Sequence, residues 1–153
     1  MNSSRSARRA RQRGNAMVEF GLAMALLIPI MFGVFQFGYG FYHYNRLVGA
    51  VREGARYASL RTYDSASTTP SNGYLTAVKN TVVYGSPSGG TTPVVPGLST
   101  GAVNVSVTMP AGVPDMIAVR VSSFSVDTIF KTLTWQNKPE ASFRFEGTFT
   151  PPN

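Results

Sequence analysis

Between Gly14 and Arg46 the chain carries one formal charge, the carboxylate of Glu19. The 23 residues that follow it, Phe20 to Tyr42, hold Gln36 as their only strongly polar side chain. A carboxylate carried deep into a bilayer costs about 2.5–3.5 kcal/mol on insertion scales, so at the mouth of such a run it calls for a cation or for water. Beside Arg13 in a headgroup layer it would simply end the apolar run. Buried, it needs a charged partner.

Little else in the chain could do chemistry. The single histidine, His43, stands next to a cluster of aromatics, and there is no cysteine, so neither a catalytic triad nor a metal-ligand cluster can be assembled from the usual parts. Asp64, Asp115, Asp127, Glu140 and Glu146 are scattered, mostly near turn signals. Gly89-Gly90 lacks the lysine and the strand–helix context of a phosphate loop. These patterns argue against an enzyme and call for no cofactor and no metal.

The apolar run sets the architecture. As helix it would extend roughly 35 Å, enough to cross a hydrocarbon core of about 30 Å. Tyr39, Phe41, Tyr42 and Tyr44 gather at its far end, where an interfacial aromatic belt belongs. Residues 1–14 contain five arginines and no acid, which is five of the seven net positive charges. Such a tail could neutralise phosphates of a nucleic acid. Abutting an apolar span, it reads instead as the cytoplasmic side of a single-pass anchor, with residues 46–153 outside. A cleaved secretory signal would have an apolar region of about 7–15 residues ending at a small-residue site. This run is longer and ends in aromatics. Pro29 removes one helical hydrogen bond and predicts a kink. Gly21, Ala23, Ala25, Gly33, Gly38 and Gly40 would let another helix approach closely.

From Ala16 to Ser59 the sequence resembles the TadE-like family, pseudopilins of tight-adherence (Tad, or Flp) type IV pili. Val18, Glu19 and Phe20 match its Val-Glu-Phe triplet, Pro29 its helix proline, and Phe37-Gly38 its aromatic-Gly pair. Ala50, Arg52, Glu53, Gly54, Ala55, Arg56, Tyr57 and Ala58 match its Ala-x-Arg-Glu-Gly-Ala-Arg-Tyr-Ala stretch. Gln36 and Tyr39 depart from the glutamate and arginine that many relatives carry there. The resemblance implies a prepilin processed by a membrane peptidase between Gly14 and Asn15, with Glu19 and Phe20 serving assembly. It implies that Glu19 pairs with the new α-amine of Asn15 on a neighbouring subunit, an attraction of about 4 kcal/mol at an effective dielectric near 20 and about 4 Å. A glycine before the scissile bond would ease access to an extended backbone. Arg52, Glu53, Arg56 and Tyr57 are then candidate subunit contacts; without that role the charged three are a solvated helix face. The implied partners are a prepilin peptidase, other pilins and pseudopilins, the Tad assembly platform and the lipid bilayer, with no nucleic acid. The implied place is a bacterial inner membrane, and for the assembled form an extracellular pilus. Two other readings remain: an uncleaved, membrane-tethered binding module, and a pseudopilin of a secretion system.

Beyond the membrane the helix is expected to continue, from about Met17 to Arg61, with Leu47, Val48, Val51, Ala55, Ala58 and Leu60 at helical spacing. Glu53 and Arg56 are in the order that favours a weak pair. A short helix follows over Tyr74–Tyr84, with Leu75, Val78 and Val82 on one face. Residues 85–101 are dominated by Gly, Pro, Ser and Thr and read as loop. Val103 to Met109 and Ile117 to Val121 alternate as strands. At Ser122-Ser123 the parity slips, which predicts a bulge or a strand end. Phe143, Phe145 and Phe149 face one way. Asp127 to Pro139 follows neither period. The whole is an α+β chain: a basic leader over residues 1–14, an N-terminal helix over 15–61 with its transmembrane part at about 20–42, and a pilin-like head over 62–153 with a small antiparallel sheet.

Overall fold

The structure, a computed structural model, describes residues 3–127 and 132–151, with side chains described from residue 15 onward. The basic side chains of the leader lie outside the described residues. The chain divides into two units, Met1–Tyr39 and Gly40–Asn153.

Helix α1 spans Ser3–Leu60. It starts earlier than the spacing predicts and includes Gly14. The first stretch is mostly Ser, Arg, Ala and Gln, several of them strong helix formers, and has no proline before Pro29 to break it. In the first unit its apolar side chains are exposed, among them Phe20, Leu22, Leu26, Ile30, Val34 and Phe37. An 18-residue window reaches a mean hydropathy of 2.1 with none of it buried. A Cβ added at Gly21, Gly33 or Gly38 would meet nothing within 4 Å. Side chains apolar on every face and covered by nothing are what a bilayer solvates.

In the second unit the same helix turns amphipathic. Leu47, Val51, Ala55 and Ala58 are fully buried, spaced at three and four residues. Leu60, placed with this stripe by its spacing, is 54% exposed because it stands about 200° round the helix from Ala58. Helix α2, Asn72–Tyr84, begins at Ser71, whose Oγ accepts from the Tyr74 amide at 3.2 Å. It ends at Gly85, left-handed at φ 71°, whose amide reaches the Thr81 carbonyl. A left-handed C-cap favours glycine. The buried face of α2 is Tyr74, Ala77, Val78, Thr81, Val82 and Val83. Tyr74 thus replaces the expected Leu75, which is only half-buried.

β1 (Val103–Thr108), β2 (Met116–Val121) and β5 (Glu140–Arg144) form an antiparallel sheet in the order β1-β2-β5. β3 (Ser123–Asp127) pairs with β4 (Thr132–Gln136) in a separate two-stranded sheet. The parity slip at Ser122 is therefore a strand end. Its amide reaches the Ala102 carbonyl at 2.8 Å and its own carbonyl accepts from the Asn137 amide at 2.8 Å, so the chain changes sheets without stranding a backbone group. Val103, Val107, Ile117, Val119 and Val121 meet the helices in one core, which Phe124 and Val126 of β3 join. The loop after α2 contributes as well: Val95 and Leu98 are buried. Phe143, on edge strand β5, is exposed, whereas Phe145 and Phe149 pack about Tyr63 with ring centroids at 6.3 Å each.

Candidate membrane and assembly surfaces

Asn15, Glu19 and Phe20 lie on exposed helix in the first unit. Glu19 stands four residues beyond Asn15, about 6 Å along the axis. The carboxylate is exposed, and among the described residues the ion pair present is Arg144–Asp115 at 3.5 Å, so Glu19 pairs with none of the described side chains. Pro29 lies inside α1.

The second group of sequence-predicted residues lies in the other unit. The buried stripe of α1 fixes their direction: Arg52, Glu53 and Arg56 fall on the opposite, exposed face, and Tyr57 is half-buried at its margin. Glu53, Arg56 and Tyr57 come together with Leu60 and Arg61 around an open hollow of about 420 Å³. Arg52 does not line it. Glu53 and Arg56 do not pair with each other, despite favourable spacing. Arg61, which the sequence reading passed over, closes the hollow. Its Nη1 donates to the Tyr57 hydroxyl, and its guanidinium lies 5.7 Å from the Tyr57 ring centre. The i,i+4 spacing of Tyr57 and Arg61 was the available signal.

At the membrane-proximal start of the second unit, Arg46, the first charge after the apolar run, lies 5.7 Å over the Tyr42 ring and 3.4 Å from its hydroxyl. His43 is 5% exposed, edge-on to Tyr42 at 5.4 Å. Gly40 is buried, and a Cβ there would come within 2.7 Å of Leu133 Cδ1. Trp135 of β4 packs on Tyr44 at 5.7 Å and stacks on Phe124 at 6.1 Å. None of these contacts was read from the sequence.

Two tyrosines titrate unusually. Burial pushes the Tyr74 phenol well above its ordinary value of 10.0, with neighbouring Tyr63 adding to the rise, and its hydroxyl donates to the Ala58 carbonyl. Burial also raises Tyr63, against a lowering by its hydrogen bond with Ser65. Both phenols serve packing. Among the described residues no group of three or more His, Asp or Glu could hold a metal ion.

Fold and surfaces together define an α+β domain on an N-terminal helix long and apolar enough to cross a membrane once. Residues 14–56, the greater part of that helix, match the family model described as TadE-like protein. No curated protein and no solved structure matches the chain. The family match thus starts at Gly14, takes in Glu19, Pro29 and the Arg52–Arg56 face, and stops before the strands.

Proposed function

We propose that the protein is a minor pilin or pseudopilin of a Tad-type pilus, anchored in the inner membrane with its N-terminus cytoplasmic and its head outside. A prepilin peptidase removes residues 1–14, cutting between Gly14 and Asn15. The α-amine of Asn15 then meets Glu19 of a neighbouring subunit, and Phe20 packs beside that pair. Pro29 kinks the helix within the bilayer. The exposed face of Arg52, Glu53 and Arg56, with Tyr57, contacts other pilins or the assembly platform, and the head takes part in assembly and adhesion. No catalysis is assigned. The observation that carries this reading is the exposed carboxylate of Glu19, paired with none of the described side chains, on a helix matched to the TadE-like family from Gly14 onward.

The second reading is an uncleaved, membrane-tethered binding module, favoured by the continuity of α1 through Gly14. The N-terminus and intact mass of the membrane-extracted chain separate the two. The pilin reading expects a mature chain beginning at Asn15 and loss of filament incorporation in Glu19→Ala. A chain still beginning near Met1, in cells with an active prepilin peptidase, would favour the tether.

A further inference from the structure

The β3–β4 hairpin lies against α1 where the apolar run ends. Trp135 packs on Tyr44, and Leu133, two residues earlier in β4, packs on Gly40. Two residues of strand cover roughly 7 Å and four residues of helix about 6 Å, so β4 runs alongside the helix axis from Gly40 to Tyr44. The span ends at Tyr42, between those contacts. A bilayer's interfacial layer is about 5–7 Å thick on each side, the difference between its full and hydrocarbon thickness. Gly40 and Tyr44 each lie about 3 Å from Tyr42 along the axis. Leu133 and Trp135 therefore fall at the same depth as the Tyr42 ring and the guanidinium above it.

The chemistry of the described residues of β3 and β4 suits that depth. The exposed Ser123, Ser125, Thr132, Thr134 and Gln136 are uncharged, and the Ser125 and Thr134 hydroxyls face each other at 3.2 Å. The one charge among the described residues of the two strands, Asp127, accepts from the Thr132 hydroxyl at 2.7 Å. A tryptophan with apolar and hydroxyl neighbours is the composition of an interfacial belt.

We propose that the paired strands β3 and β4, by their described residues Ser123–Asp127 and Thr132–Gln136, are a second membrane contact, seated in the phospholipid headgroup layer beside Gly40–Tyr44. This rests on membrane anchoring by α1 and is independent of the pilus reading. Trp135 is the chain's only tryptophan, so the full protein reports on itself. The purified chain is reconstituted in phosphatidylethanolamine–phosphatidylglycerol vesicles doped with phosphatidylcholine that is spin-labelled at the headgroup or at mid-chain. Trp135 fluorescence should be quenched several-fold more by the headgroup label. An Ile28→Trp, Trp135→Phe chain monitors insertion separately and should be quenched by the mid-chain label. Trp135 untouched by either label, with position 28 quenched, would leave the anchor standing and overturn the hairpin contact. The same shielding together with disulfide dimers of a Leu133→Cys chain, whose only thiol that is, would place a second copy on the hairpin and overturn the lipid contact. No quenching at position 28 would remove the anchor, and the proposal with it.

Discussion

Helix α1 uses the same residue types in opposite ways in its two regions. Before Gly40 its leucines, isoleucines and phenylalanines are exposed on every face and the added space around Gly21, Gly33 and Gly38 is open. After Gly40 the apolar residues narrow to one stripe, which the head covers completely at Leu47, Val51, Ala55 and Ala58. The first region leaves its large apolar side chains exposed, as a helix suited to a bilayer does. The second takes it from packing. A hydropathy scale scores both as helix, and only the angular distribution of the apolar residues tells them apart.

The sharpest test of that contrast truncates one leucine in each region. Leu47→Ala empties a fully buried site and is expected to cost the head about 2–5 kcal/mol. Leu26→Ala removes an exposed side chain and should leave head unfolding unchanged. Chemical denaturation of the detergent-solubilised chain, followed by Trp135 fluorescence, compares them directly. Equal losses would mean that the two regions are not energetically separate.

Glycines refine the comparison, with a smaller effect. A Cβ at Gly54 would overlap the Val82 side chain of α2, so Gly54→Ala should destabilise the head by about 1–3 kcal/mol through overpacking. Gly33→Ala meets nothing within 4 Å. In the isolated chain it should be neutral, measured by the same unfolding curves. A Gly33→Ala chain that is stable alone yet fails to enter filaments would show that the open face is used only between subunits.

The sequence was most legible where one period ran undisturbed. The apolar run, α2, β1 and β2 follow from their spacing alone, and the exposed face of Arg52, Glu53 and Arg56 follows from the stripe opposite it. Legibility failed where tertiary contacts decide. Val95 and Leu98 sit among turn formers whose local signal says loop, yet the core takes them in. Leu133 and Trp135 alternate with Thr132, Thr134 and Gln136 as a strand should, but the segment's ambiguous flanks hid the pattern. Their contacts with Gly40 and Tyr44 join residues about ninety positions apart, a pairing no local spacing encodes. Arg61 was missed for a different reason: the family resemblance ends before it, although its i,i+4 relation to Tyr57 was visible.

The smallest expected effect concerns the Tyr74 hydroxyl, which ties α2 to the packed half of α1. Tyr74→Phe deletes the bond to the Ala58 carbonyl and should cost about 0.5–1.5 kcal/mol near neutral pH. Its pH dependence carries more information. The unfolded phenol titrates near its ordinary 10.0, whereas burial holds the folded one protonated to higher pH. Below pH 10 both states are protonated and the contribution of Tyr74 is fully present. Above it the unfolded chain gives up a proton that the folded chain keeps, and stability falls by up to about 1.4 kcal/mol per pH unit. The Phe variant lacks that slope while Tyr63 titrates in both chains, so the two stability curves should converge within about one unit above pH 10. Curves that stay parallel from pH 8 to pH 11 would mean that solvent reaches the phenol and that the junction of α1 and α2 is looser than the buried stripe of α1 implies.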